Sequence, residues 1–273
     1  TPYVSGNAVV WTPPSGESSG YIPLGNHRFP FKFHLPLNCP SSFEGENGSV
    51  RYYCKARIYR PRYRSDKTSE RTITVILSCD LNLIPDVTFP LQISQSKEMG
   101  KNGMISITVR VPKRGFVPGE TIVVEAEIVN ASSKKIENMR VELVQCAHYF
   151  AHWGTGVNVS SSPNFPMETN IVDNREDNDE VFRSDKEVEI PKGETVKFTR
   201  LAPIPPVVPS FNNCPIINVE YYLKIEMKTS GLLRKKASVQ LPLIIGTIPL
   251  RSLQFLISPS PQYTDSLVCP SLE

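Results

Sequence analysis

The run Gln145-Cys146-Ala147-His148-Tyr149-Phe150-Ala151-His152 concentrates one thiol and two imidazoles. On a strand, residues two apart share a face, so Cys146 and His148 would stand side by side. Two chemistries use such a pair. A Cys–His couple is a nucleophile when the thiol is held as thiolate. Cysteine and histidine are also zinc ligands. The chain sequence supports neither use. No cysteine-nucleophile signature surrounds Cys146, and no fourth ligand follows at a metal-binding spacing. Cys39, Cys54, Cys79, Cys214 and Cys269 are scattered, and no C-x-x-C occurs. They read as reduced thiols, several of them buried. No acid/base constellation emerges elsewhere, so the chain reads as non-enzymatic, with no cofactor and no metal.

A second group has binding chemistry. Arg57, Arg60, Arg62, Arg64 and Lys67 interleave with Tyr59 and Tyr63. Arginine pairs phosphate oxygens through two parallel N–H donors, so this cluster suits acidic lipid headgroups or phosphorylated peptide tails. The alternative is a solvated strand end. Nucleic acid is not the expected partner, because 30 basic and 27 acidic residues leave a net charge of only +3.

These side chains need a scaffold, and the scaffold reads as all-β. The 273 residues suffice for one or two domains. The 25 prolines argue against long helices. Val50–Ile58 is rich in aromatic and branched residues. Arg71–Leu77 places Ile73, Val75 and Leu77 in phase. Met104–Val111 does the same with Ile105, Ile107, Val109 and Val111. Thr121–Val129, Met139–Gln145, Val219–Met227 and Ala237–Ile245 continue the pattern. Period-two alternation between turn residues marks half-buried strands of a sandwich. Lys134-Lys135 and Arg234-Lys235-Lys236 read as hairpin turns. Phe89–Gly103, with Pro90, Gly100 and Gly103, reads as a linker. Ser160–Arg183 is polar and acidic and reads as a long surface loop. The Ser/Pro-rich end from Ser258 reads as a flexible tail. No apolar run is long enough to span a bilayer.

One pattern is written twice. Lys32-Phe33, Pro40-Ser41-Ser42-Phe43 and Val50-Arg51-Tyr52-Tyr53-Cys54-Lys55 occur in order in the first half. Lys197-Phe198, Pro209-Ser210-Phe211 and Val219-Glu220-Tyr221-Tyr222-Leu223-Lys224 answer them in the second. Such a repeat predicts two similar sandwiches. One tyrosine of each pair should point inward and one outward. The second copy has about 90 residues of its domain ahead of it and the first about 30, so the first domain is expected to be N-terminally truncated. The expected boundaries are 1–94, a linker at 95–103, 104–250, and a tail at 251–273.

The motifs point to a family. Gly25-Asn26-His27-Arg28-Phe29-Pro30-Phe31-Lys32-Phe33-His34-Leu35-Pro36, Pro40-Ser41-Ser42-Phe43-Glu44-Gly45, Pro118-Gly119-Glu120, Asn130-Ala131-Ser132-Ser133 and Ile244-Ile245-Gly246-Thr247-Ile248-Pro249-Leu250 resemble the arrestin-domain-containing proteins, or α-arrestins. The resemblance covers residues 9–250. It implies two immunoglobulin-like arrestin β-sandwich domains in a cytoplasmic protein recruited peripherally to plasma membrane and endosomes. It also implies an adaptor in protein transport and endocytosis. Membrane protein cargo would be one partner. A WW-domain HECT-type ubiquitin ligase, recruited by tail Pro-Pro-x-Tyr motifs, would be another, and acidic phospholipids a third. Here the nearest tail sequence is Ser260-Pro261-Gln262-Tyr263, with serine in the first proline position. Pro-rich peptides dock on WW grooves because their extended form is preorganised. The other reading is a trafficking scaffold that binds cargo and recruits no ligase.

Overall fold

The computed structural model describes residues 4–13, 15, 20–60, 63–99, 103–152, 171–230 and 235–251. Their strands are β1 (Phe43–Glu44), β2 (Ser49–Val50), β3 (Tyr52–Ile58), β4 (Lys67–Ile73), β5 (Leu91–Glu98), β6 (Met104–Val111) and β7 (Gly115–Phe116). There follow β8 (Thr121–Ala131), β9 (Ile136–His152), β10 (Ile171–Ile190), β11 (Thr195–Pro203), β12 (Ile217–Thr229) and β13 (Lys236–Ile245). The helical content among the described residues is one 3₁₀ turn at Leu81–Leu83. Asp80 caps that turn by accepting from the Asn82 amide.

The second half forms a two-layer sandwich. One sheet runs β10-β9-β12-β13-β7 and the other β11-β8-β6-β5. All neighbours are antiparallel except β13 and β7, which pair in parallel through Ile244 and Ile245. Ile105, Ile107, Val109 and Val111 of β6 are buried, as their alternation predicts. Ile122, Val124, Ala126 and Ile128 repeat this on β8. They meet Val219, Tyr221, Leu223, Ile225 and Met227 of β12 in one continuous core. Full burial of each large aliphatic side chain contributes about 1.5–3 kcal/mol.

Two segments differ from their sequence reading. Leu91–Glu98 lies where a linker was expected and is strand β5, paired with β6 from Leu91↔Val111 to Glu98↔Met104. Its Ser94–Thr108 and Ser96–Ser106 hydroxyl pairs face solvent, so polarity hid an edge strand. Residues 171–183, within the expected acidic loop, belong to β10, which pairs with β9 over nearly its whole length. Outward charges suit an edge strand, where they discourage pairing with other chains. Residues 160–170 lie outside the described residues.

The first half is laid out differently. Its strands form two separate pairs, β1 with β2 and β3 with β4. β4 is exposed throughout and ends at Ile73, short of the expected Leu77. Val75 and Leu77 instead bond the serines of Pro40-Ser41-Ser42-Phe43. Beyond them, Cys79–Val87 docks on the second half. The Thr247 and Ile248 amides donate to the Cys79 carbonyl, and Leu81 N–H donates to Ile248 O. Gly246 permits this approach, since a Cβ there would lie 2.7 Å from Leu81 Cγ and 2.9 Å from Cys79 O.

Candidate functional site

The doubled pattern proves to be one hydrogen-bonded device built twice. In the first copy Ser42 N–H donates to Val75 O, and Ser42 Oγ accepts from Val75 N–H. In the second, Ser210 N–H donates to Ile245 O, and Ser210 Oγ accepts from Ile245 N–H. Tyr52 Oη donates to Pro40 O at 2.7 Å, two residues before its serine. Tyr221 Oη donates to Val208 O at 2.7 Å, again two residues before its serine. Tyr53 and Tyr222 project the other way, as adjacent strand residues must. Phe43 and Phe211, each following its serine, meet edge to face with centroids 6.2 Å apart. The two copies thus touch each other at the seam between the halves.

Polar contacts close the same seam. The β1–β2 turn offers the Glu46 and Asn47 amides and the Asn47 side-chain amide to the Asp177 carboxylate of β10. Burial alone would raise the Asp177 pKa. The Tyr149 phenol and the Asn47 and Glu46 donors outweigh that and hold it below the ordinary value. Burial and the same carboxylate push the Tyr149 phenol up. Gly45 lies so close to Tyr149 that a Cβ would overlap the phenol oxygen. Beside this turn runs a groove of about 420 Å³ lined by Phe43, Val50, Tyr52, Gln145 and Val207.

The basic cluster sits at the β3–β4 hairpin tip, partly neutralised from within. Arg57 donates from Nε and Nη2 to Asp66 at 2.9 and 2.7 Å. Its guanidinium lies 4.8 Å over the Tyr59 ring. The Arg60 amide and then the Arg57 guanidinium hold the Asp66 carboxyl below its ordinary value. Arg60 donates to the Ser65 carbonyl. Arg64 and Lys67 are exposed at the tip. Arg62 lies outside the described residues, as do Ser260, Pro261, Gln262 and Tyr263.

Cys146 and His148 share the outward face of β9, with Sγ and Nε2 3.3 Å apart. Burial, then the nearby Glu176, Glu220 and Asp177, push the Cys146 thiol up to about 12. The thiolate is the nucleophilic form, and this environment disfavours it. Burial likewise raises Cys39, Cys79 and Cys214. The register adds what the chain sequence concealed: Glu176 of β10 stands opposite His148, and Glu220 of β12 opposite Cys146. His152 closes β9 against Ile171, further along the strand.

The second half is thus a two-sheet β-sandwich, and the first carries a second copy of its seam motif. Residues 101–250 match the family described as "Arrestin (or S-antigen), C-terminal domain", and residues 1–82 match "Arrestin (or S-antigen), N-terminal domain". The chain belongs to the arrestin family, with an all-β fold of N- and C-type domains. It is 32% identical over 242 residues to "Arrestin domain-containing protein 4" of Mus musculus, covering 86% of this chain and 52% of that protein. It is 29% identical over 263 residues to "Arrestin domain-containing protein 1" of Rattus norvegicus, covering 92% and 53%. "Arrestin domain-containing protein 17" of Caenorhabditis elegans is 30% identical over 247 residues, covering 88% and 52%. The chain spans about half the length of the curated relatives it matches. No helix of the described residues is long and apolar enough to cross a membrane.

Proposed function

We propose that this chain is a non-enzymatic adaptor in membrane-protein trafficking. Its arrestin body engages membrane protein cargo, and its tail links that cargo to a WW-domain HECT-type ubiquitin ligase and so to endocytic sorting. It works in the cytoplasm and is recruited peripherally to plasma membrane and endosomes. The observation that carries this reading is the match of both halves to arrestin domains. The β3–β4 tip supports it, since Arg64 and Lys67 are exposed there and suit acidic phospholipids or phosphorylated cargo. Nucleic acid is no part of the reading.

The test uses purified full chain, and separately the peptide 258–273, against WW domains of HECT-type ligases. Binding tighter than about 1 mM (−4.1 kcal/mol) that is lost in Tyr263→Ala supports recruitment through this tail. Weaker binding by both sinks it. Ser260, in the first proline position, favours a second reading: a trafficking scaffold that holds cargo and recruits no ligase. Cargo captured with the chain, whose ubiquitination is unchanged by its expression, selects that reading.

A further inference from the structure

The outward face of the five-stranded sheet assembles a donor set that the adaptor role does not use. One ligand atom from each of Cys146, His148 and Glu176 lies within 4.8 Å of the others. Sγ and Nε2 are 3.3 Å apart. Glu176 Oε2 lies 3.9 Å from His148 Nδ1, and Glu220 Oε2 lies 3.9 Å from His148 Nε2. The four residues come from three adjacent hydrogen-bonded strands, β10, β9 and β12.

The geometry points to a divalent transition-metal site, for Zn²⁺ by preference, formed by Cys146, His148 and Glu176 with Glu220 as the fourth ligand. Zinc bonds of about 2.3 Å to sulfur and about 2.0–2.2 Å to nitrogen and oxygen set tetrahedral ligand atoms roughly 3.3–3.6 Å apart. Sulfur and nitrogen already stand at that separation. An ion beside Cys146 Sγ binds Nε2, toward which Glu220 Oε2 must close by a few tenths of an ångström, whereas Glu176 Oε2 flanks Nδ1 and must turn further, within a cluster 4.8 Å across; both belong to half-exposed glutamates. A mixed thiolate, imidazole and carboxylate set suits zinc better than calcium or magnesium, which take oxygen ligands. On binding, the Cys146 S–H bond breaks, the proton passes to solvent, and the sulfur lone pair forms the metal bond. No change of oxidation state is needed.

A supporting layer holds one ligand in place. Tyr222 Oη donates to Asn178 Oδ1 at 2.8 Å, and Asn178 Nδ2 donates to Glu176 Oε1 at 2.7 Å. That chain occupies one carboxylate oxygen and leaves Oε2 free of it, on the Nδ1 side of His148. The His148 ring also stacks on Phe150, with centroids 6.5 Å apart. Hydrogen bonds of this kind fix metal-ligand orientation, and losing one typically costs 10–100-fold in affinity. An ion here would tie the edge strand β10 to β9 and β12, next to the point where Asp177 holds the β1–β2 turn.

The experiment uses the full chain, stripped with chelator and titrated with Zn²⁺ alone and then Co²⁺ alone. One ion per chain is expected, with a sulfur-to-cobalt charge-transfer band. Cys146→Ser should abolish the band, and His148→Gln should weaken Zn²⁺ more than 100-fold. Asn178→Ala, which removes no ligand, should weaken it about 10–100-fold. Cys54→Ser should change nothing. Far-ultraviolet circular dichroism checks that each variant folds, and His148→Gln carries the test if Cys146→Ser does not. Unchanged stoichiometry and affinity in a folded His148→Gln or Cys146→Ser variant, or no thiolate band with wild-type chain, overturns the site.

Discussion

The halves on either side of the seam share one hydrogen-bond device and differ in what surrounds it. Tyr221 is fully buried, and Leu223, Ile225 and Met227 after it on β12 join the core. Tyr52 is nearly as buried, yet along β3 exposure begins at once and Ile58 is 55% exposed. The serine and tyrosine bonds need only a short stretch of chain around them. Burial of a strand face needs a second layer packed on it. The β3–β4 ribbon has no such layer among the described residues, and the β12 sheet faces β6 and β8.

That contrast can be broken by experiment. The largest expected difference is between core truncations. Leu241→Ala, at a fully buried position, should cost about 2–5 kcal/mol by urea unfolding. Ile58→Ala should stay within about 0.5 kcal/mol. Equal costs would show that the ribbon is packed in solution and remove the contrast.

Next is the Asp177 link, which should contribute about 1.5–3 kcal/mol as a set of hydrogen bonds to a charged acceptor. Its carboxyl sits below the ordinary value of 3.8, so the contribution is fully present above that pH. It is lost as pH falls through the depressed folded value. The stability gap between wild type and Asp177→Asn should therefore be widest near neutrality and close in acid. A gap independent of pH would place the carboxylate outside the seam.

Smaller effects sharpen the likeness. Tyr52→Phe and Tyr221→Phe each delete one buried hydroxyl donor, and each should cost about 0.5–1.5 kcal/mol. Similar values would mark the device as energetically equivalent in both halves, and a null result for Tyr52→Phe would confine it to the second. Smallest of all, Arg64→Ala with Lys67→Ala should leave unfolding within about 0.5 kcal/mol. The same pair should weaken binding to phosphatidylserine vesicles by roughly 1 kcal/mol per side chain removed.

Much of this was legible in the residues. Ile105, Ile107, Val109 and Val111 announced a buried strand face, and Lys134-Lys135 a turn between β8 and β9. The Pro-Ser-Phe and Tyr-Tyr repeats announced two related halves. β5 and the 171–183 stretch of β10 were missed because hydrophobic alternation reports burial, and edge strands held by backbone bonds carry little of it. The site on β9 was half legible. Cys146 and His148 were paired by their spacing, and Glu176 and Glu220 were not.

The sequence by itself determined the strand faces, the inward and outward tyrosines, and membership of the arrestin family. The faces and the tyrosines depend on the two-residue period of a strand, and the family on short motifs; both are local. Only the tertiary structure decided that Glu176 and Glu220 flank Cys146 and His148, and that Asp177 receives the β1–β2 turn. The first meeting depends on the register of β10 and β12 against β9, and the second on how the β1–β2 turn packs on β10; backbone hydrogen bonds and core packing that no short run of residues encodes fix both.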